Sequence, residues 1–431
     1  MKQNSKFSLS GSKALLKGNR MFRALPLMAA GLIACTLSAR AADSPGVKFN
    51  SGVRYSQWAI DSRLYDFYGN KNQFGFAKWD ASSQKLGSYT KWSSPKNDYV
   101  AGLVGKATLE AAEFYNTDWS KPWFESAKGY ALDNINYSSS SDAKNITLDN
   151  MNAAKMFIPL TKGNSEWITA TEQNSAKNYI NEVIKDLVTY NSELFIGSAF
   201  YNSSKKWTGI SADKANELGM YGSWYHKPDY VDQTWCDGMY MGPALLAQII
   251  KYNGKTNNLS ASENDWDILA KQFTISWKQL HDGTTGLMYH GFTANPGVDA
   301  SADWAEVTKG GTTYHSASFW GRANAWYFMA LVDVLEAMPA DNSNYTTLKG
   351  YLTSLAAGIK KYQDSETGCW YQVLDKTPAS LTGNYLEASC SSIFTAAYLK
   401  AIRLGLLDKA TYGPVAKKAY EGLVNQFMVY D

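Results

Sequence analysis

Helical periodicity recurs along most of this chain and constrains its fold more than any other feature. Between residues 264 and 281, Trp266, Leu269, Ala270, Phe273 and Trp277 return at i, i+3, i+4 and i+7 spacing and share one face. The same pattern predicts helices over 99–115, 123–135, 150–160, 175–191, 238–252, 319–338, 345–362, 385–405 and 412–428, with a weaker one over 55–67. Continuous β-type alternation is scarce, so the fold class is mainly α. Two stretches share the pattern D-x-x-T-G-x-x-Y: Asp282-Gly-Thr-Thr-Gly286-Leu-Met-Tyr289 and Asp364-Ser-Glu-Thr-Gly368-Cys-Trp-Tyr371. Each follows a long amphipathic helix and ends in a short apolar run suited to a brief strand. Repetition at this scale signals stacked helix pairs. The sequence stops at Tyr430-Asp431, where a third copy would begin, so the expectation is a hairpin-repeat toroid lacking its last unit.

The first 41 residues read as an address. They hold seven bases and no acid, although the whole 431-residue chain carries 42 Lys+Arg against 39 Asp+Glu. The remainder therefore has four more acids than bases and offers no positive footprint for nucleic acid. Residues 24–37 form an apolar run of signal-peptide length, too short to span a bilayer, and Ala39-Arg40-Ala41 supplies a small-x-small cleavage pattern. The expectation is residues 1–41 as a signal peptide, 42–431 as one catalytic domain, and export to the periplasm or the exterior. Leu32-Ile-Ala-Cys35 leaves lipoprotein anchoring at Cys35 open. No later stretch reaches the length of a membrane helix. Cys236, Cys369 and Cys390 remain beyond residue 41, an odd number at wide spacing that forms neither a disulfide framework nor a zinc site. With four His in the chain, a multi-His metal centre is not expected.

Chemistry-bearing residues concentrate in a few segments. The densest is Trp224-Tyr-His226-Lys, followed by Asp232 and by Gln233-Thr-Trp235-Cys-Asp237-Gly-Met-Tyr-Met241. A carboxylate at a helix entrance among aromatic rings is desolvated, which raises its pKa and lets it donate a proton near neutrality. The plain alternative makes Asp237 the N-cap of a helix from Gly238. Asp232 has the same ambiguity and reads as a surface turn residue. Asp149, in Thr147-Leu-Asp-Asn-Met, is again a cap or an acid. His290 is a structural histidine or a pocket residue. The polar stretch 293–318, with Gly310-Gly311, is long for a compact domain and reads as a functional loop. After it, Arg322 and Trp326 stand four apart on one helix face beside Trp320. A guanidinium among indoles either forks a planar carboxylate or packs its stem over core rings. Neither a dinucleotide fingerprint nor a G-x-S-x-G elbow occurs.

Taken together these segments resemble the unsaturated rhamnogalacturonyl hydrolases of glycoside hydrolase family 105, which are related to the unsaturated glucuronyl hydrolases of family 88. The matching pieces are Thr147-Leu-Asp-Asn-Met-Asn, Trp224-Tyr-His-Lys, Gln233 to Pro243, Met288-Tyr-His-Gly-Phe292, Asp303-Trp-Ala305, Ser318-Phe-Trp-Gly-Arg-Ala-Asn-Ala-Trp-Tyr327 and Tyr385-Leu-Glu-Ala-Ser389. The resemblance implies an (α/α)6 barrel, a six-hairpin toroid. It makes Asp237 the catalytic acid/base and Asp149 the second acid. It places His290, Arg322, Trp320 and Trp326, with Trp235, Met241 and His226, around an unsaturated uronic acid. Ala325 stands where the family usually has Gly, and the sequence ends before the usual C-terminal segment.

The implied substrate is an oligosaccharide, of the pectin rhamnogalacturonan type, whose terminal uronic acid carries a C4=C5 double bond left by a lyase. Asp237 would protonate C4, and water would add at C5. The hemiketal would then open and release the sugar, with no metal or organic cofactor. One carboxyl group acts twice, unlike the paired acids of ordinary glycosidases. An ordinary glycosidase using Asp149 and Asp237, or a non-catalytic carbohydrate-binding protein, remain the alternatives.

Overall fold

Two turns of the same construction explain the repeat. Asp282 Oδ1 accepts from the backbone N–H groups of Thr284 and Thr285 and from the Thr285 hydroxyl, at 3.0, 2.6 and 2.9 Å. Asp364 Oδ1 does the same with Glu366, Thr367 and the Thr367 hydroxyl, at 3.2, 2.8 and 2.7 Å. Gly286 and Gly368 then take φ of +76° and +77°, a left-handed conformation that a Cβ would strain. The aspartate, the threonine and the glycine of the pattern are thus the three residues that close one turn.

The computed structural model describes residues 47–64, 75–76, 79–80, 83, 85–86, 90–91, 98–163, 166–203, 206–254, 258–296 and 314–428. The leader at 1–41 with Cys35, the Asp303-Trp-Ala305 piece, Gly310-Gly311 and Tyr430-Asp431 lie outside the described residues. All described residues belong to one unit, Pro45–Asp431.

The helices in chain order are α1 (Tyr55–Asp61), α2 (Tyr99–Tyr115), α3 (Lys121–Asn134), α4 (Leu148–Met151), α5 (Ala154–Leu160), α6 (Ala170–Glu193), α7 (Ala212–Glu217), α8 (Cys236–Met241), α9 (Pro243–Asn253), α10 (Asp265–Leu280), α11 (Gly321–Ala337), α12 (Tyr345–Lys361), α13 (Ala388–Arg403) and α14 (Lys409–Phe427). Four two-residue strands, β1 (Gly75–Phe76), β2 (Trp79–Asp80), β3 (Lys85–Leu86) and β4 (Thr90–Lys91), pair antiparallel as β1–β4 and β2–β3. A third short pair joins β5 (Tyr201–Asn202) to β6 (Trp207–Thr208), and a fourth joins β7 (Gln233–Trp235) to β8 (Gly291–Thr293).

Among the described residues, α2 packs on α3, α5 on α6, α9 on α10, α11 on α12 and α13 on α14 as successive hairpins. Their first helices follow one another in space: α2 beside α5, α5 beside α9, α9 beside α11, α11 beside α13. The segment leading into α1 joins the two ends of this arc. Phe49 N–H donates to Asn425 of α14, Tyr55 meets the Tyr420 ring, and Asp61 accepts from Trp123 Nε1 of α3 at 2.8 Å. Helix α11 is buried along most of its length, as a helix with neighbours on both sides must be. No helix of the described residues is long and apolar enough to cross a membrane.

Three departures from the sequence reading have local causes. The helix expected over 238–252 is two, α8 and α9, because Pro243 lacks the N–H that a continuous helix would use. Helix α6 begins five residues earlier than expected, where Thr169 and Glu172 form a reciprocal capping box. Asp232 is not a surface turn residue. It is fully buried at φ +62°, and its carboxyl accepts from Ile210 N–H at 3.0 Å.

Candidate active site

The register of β7 against β8 assembles the site. Trp235 pairs with Gly291, and Cys236 N–H donates to the His290 carbonyl at 2.9 Å. Asp237 and His290 therefore leave the same end of the ladder, and His290 Nε2 lies 3.1 Å from Asp237 Oδ2. A carboxylate only accepts, so the imidazole donates. Ser316 Oγ accepts from His290 N–H at 2.9 Å. The Asn324 amide, on the first turns of α11, exchanges two 2.8 Å hydrogen bonds with the Met288 backbone. That amide ties the His290 strand to the helix carrying Arg322.

Asp237 is not a cap. It sits in the first turn of α8, whose N-cap position is Trp235. Burial pushes its carboxyl up, but the hydrogen bond and charge of His290, together with the charge of His226, outweigh burial. The carboxyl is held below the ordinary carboxylate value. Desolvation alone therefore does not decide the direction of this carboxyl; His290 and His226 do.

Asp149 is not a cap either, since Thr147 Oγ1 takes that role toward Asn150 N–H at 3.2 Å. Its carboxylate is fixed by Lys227 Nζ at 2.6 Å and faces His226 Nε2 at 3.6 Å. Burial pushes the Lys227 ammonium down, but the charge and hydrogen bond of Asp149 raise it above its usual value. Burial lowers His226, against the opposing charges of Asp149 and Asp237. The His226 ring lies parallel to the Trp235 indole at 4.9 Å, with Tyr230 parallel to the same indole at 4.9 Å.

His290 stands edge-on between Trp235 and Trp320, at 4.9 and 4.7 Å. Arg322 lays its guanidinium over Trp320 at 4.1 Å, and its Nη1 is 3.5 Å from Glu387 Oε1. The structure therefore gathers Asp149, His226, Trp235, Asp237, His290, Trp320 and Arg322. Trp326 and Met241 lie beneath them at 4% and 1% exposure, Trp326 packed on Tyr240 at 4.7 Å and Tyr99 at 5.9 Å.

Sequence reasoning gives no role to Tyr99, Lys227, Tyr230 or Glu387. Burial raises the Tyr99 phenol; the charges of Asp149, Asp98 and Asp237 raise it further, and Arg322 opposes them, so the phenol lies within electrostatic reach of both acids. Lys227 is discoverable from its place beside His226. Tyr99 has no local mark, because nothing near it in the chain belongs to the site.

The helical hairpins and their acid–imidazole cluster define the class of six-hairpin glycoside hydrolases. The model of glycosyl hydrolase family 88 matches residues 198–430, more than half of the chain, and the chain belongs to that family. A family 105 glycoside hydrolase of C. acetobutylicum superposes with a TM-score of 0.58 at 27% identity, over 79% of each chain. The unsaturated glucuronyl hydrolase of Bacillus sp. GL1 shares the fold at 14% identity, with a TM-score of 0.52 over 85% of this chain and 81% of that one. An unsaturated 3S-rhamnoglycuronyl hydrolase of Formosa agariphila is 26% identical over 192 residues, 44% of this chain and 46% of that protein. A 24.9 kDa protein of the picA locus of Rhizobium radiobacter is 40% identical over 122 residues, 28% of this chain and 47% of that protein. The chain spans about half the length of these curated relatives.

Proposed function

We propose that this protein releases a 4,5-unsaturated uronic acid from the non-reducing end of lyase-generated oligosaccharides, with rhamnogalacturonan fragments as the leading substrate class. The observation that carries the reading is the 3.1 Å Asp237–His290 pair beside an arginine whose guanidinium stands 4.1 Å over an indole. The Formosa relative is named an unsaturated 3S-rhamnoglycuronyl hydrolase, which supports an unsaturated uronyl substrate. Arg322 and His290 receive the substrate carboxylate, and Trp320 lies along the flattened ring. The arriving anion raises Asp237, because a like charge disfavours a second one nearby. The acid is thus loaded with its proton as the substrate enters. Asp237 delivers that proton to C4, positive charge develops at C5, and a water deprotonated by the same carboxylate adds there. The C5 hemiketal opens, and the departing sugar leaves without attack at C1.

Asp149 held by Lys227 is a fixed anion and suits positioning better than proton exchange, which weighs against an ordinary two-acid glycosidase. The basic, then apolar first 41 residues fit an exported enzyme that meets lyase products outside the cytoplasm. Lyase-digested pectin provides the test: the ultraviolet absorbance of the double bond should disappear as a keto sugar forms, and Asp237→Asn should stop this while still binding the oligosaccharide. Release of sugar with the absorbance intact would refute the reading.

A further inference from the structure

The two short helices that carry the acids, α4 with Asp149 and α8 with Asp237, both end in breaks, and the breaks face each other. Asn152 follows α4, and Lys155 lies in the first turn of α5. Both are fully buried. Asn152 Nδ2 donates to the carbonyls of Tyr240 and Met241, at 3.1 and 2.9 Å. Lys155 Nζ donates to the Tyr240 carbonyl at 2.8 Å and stands 3.1 Å from the centre of the Tyr240 ring. These carbonyls form the last turn of α8, where the chain bends at Gly242-Pro243 and the next helix begins. The last carbonyls of a helix have no partner within it, and buried ones need donors from elsewhere.

The amide orientation at Asn152 follows from chemistry. Both neighbours are acceptors, so the NH2 must face them, and this leaves Oδ1 buried with no hydrogen-bond partner. An unsatisfied buried acceptor is costly. The arrangement persists because the two donated bonds are needed where they are. Packing reinforces the link. Leu148, the residue before Asp149, presses on the Cα of Gly242, where an added Cβ would come within 2.9 Å of its side chain. A Cβ on Gly238, the residue after Asp237, would meet His226 Nδ1 at 3.3 Å and Leu148 at 3.5 Å.

We infer that Asn152 and Lys155 are positioning residues: they staple the end of α8 to the break after α4 and thereby set the spacing between Asp237 and Asp149. Neither touches the pocket, and each acts through the backbone of Tyr240 and Met241. Lys155, which also feels the charge of Asp333, thereby has a second task in the backbone it holds. The staple rests on the proposed reaction only where turnover is measured. The geometry is read independently through His290, whose Nε2 lies 3.1 Å from Asp237 Oδ2.

The test uses the full chain and two substitutions, Asn152→Ala and Lys155→Met, each removing donors without adding charge. With four histidines in the chain, imidazole titration by NMR is tractable. Both variants should move the His290 midpoint, and kcat on unsaturated oligosaccharides should fall on the order of 10²-fold with KM little changed, the cost of displacing a reacting group by about 1 Å. In an Asp149→Asn background the same substitutions should lower kcat much less. A drop in Tm with the His290 midpoint unmoved, and kcat per folded enzyme intact, would overturn the inference and leave both residues as core. Should Lys155→Met not fold, Asn152→Ala decides between these outcomes alone. A wild type that leaves the double bond untouched would refute the proposed reaction instead, while a shifted His290 midpoint in the variants would still support the staple.

Discussion

His290 Nε2 donates to Asp237 Oδ2 across 3.1 Å, and this hydrogen bond is the largest of the influences that hold the Asp237 carboxyl below its ordinary value. Burial alone would hold a proton on Asp237, and the imidazole reverses the direction. In the proposed reaction the acid must therefore gain its proton against this pull, as the substrate anion arrives. Substrate binding should be accompanied by proton uptake, measurable by calorimetry in buffers of different ionisation enthalpy.

His290→Asn removes the largest influence opposing burial, so Asp237 should titrate at higher pH than in the wild type. The proposed reaction needs the protonated acid, so kcat/KM should fall as pH rises. In the variant that fall should move to higher pH, even though the absolute rate drops with the lost carboxylate contact. A pH profile that moves the other way would show that His290 does not hold Asp237 ionised.

Arg322→Ala should raise KM about 10- to 100-fold, the range expected for a charge-assisted hydrogen bond. Arg322→Lys should recover little. Lysine lacks the flat guanidinium that lies on Trp320 and the fork that spans a carboxylate. Steady-state kinetics on one unsaturated oligosaccharide series would separate the variants.

Asp232 is fully buried, and burial pushes its carboxyl up to about 6, against the hydrogen bonds from Ile210 and Tyr225. A raised acid stabilises the fold below its ordinary value of 3.8 and loses that contribution as pH climbs through about 6. Asp232→Asn can keep the Ile210 bond and tolerates positive φ. The variant should gain up to about 3 kcal/mol over the wild type at pH 7. Its melting temperature should also lose the decline between about pH 4 and 6, as scanning calorimetry over that range would show.

Asp333 behaves in the opposite sense. Burial would raise it, but Lys400, Lys106 and Lys155 pull it down to about 2. Lys400 Nζ binds it at 2.7 Å and Glu336 at 2.8 Å, joining α13 to α11. The stability it supplies is present above the ordinary 3.8 and is lost as pH falls through about 2. Asp333→Asn should cost about 3 kcal/mol at neutral pH by leaving a buried ammonium half paired, and denaturant titrations should show that cost shrinking in acid.

The long helices are legible in the sequence because periodicity is local. The range 99–115 is α2 to the residue, and 264–281 differs from α10 by one residue at each end. The break at Gly242 carries a local mark in Pro243, whereas the break at Asn152 is hidden, since its amide bonds the end of α8 across the core rather than its neighbours in sequence. The acids themselves are visible, but a helix start does not say which residue caps it: Thr147, not Asp149, caps α4. The salt bridge from Lys227 to Asp149 joins residues far apart in the chain, as does the exposure of Tyr99 to both acids. Asp232 reads as exposed because its polar side chain gives no sign of the buried Ile210 N–H that holds it.

The paired turns have a consequence for how the ring is put together. Gly286 abuts Gly358 of α12, whose added Cβ would fall 2.2 Å from the Gly286 carbonyl oxygen, and the turn at Gly368 abuts Gly422 of α14, whose Cβ would fall 2.1 Å from the Thr367 carbonyl oxygen. In both, the corner of one unit lies on the outer helix of the next, as a roof slate overlaps its neighbour. Both overlaps run the same way along the chain, so α11–α12 and α13–α14 each seat the hairpin before them, and a bulky residue at either glycine pair would lift a seam between units while leaving each hairpin whole.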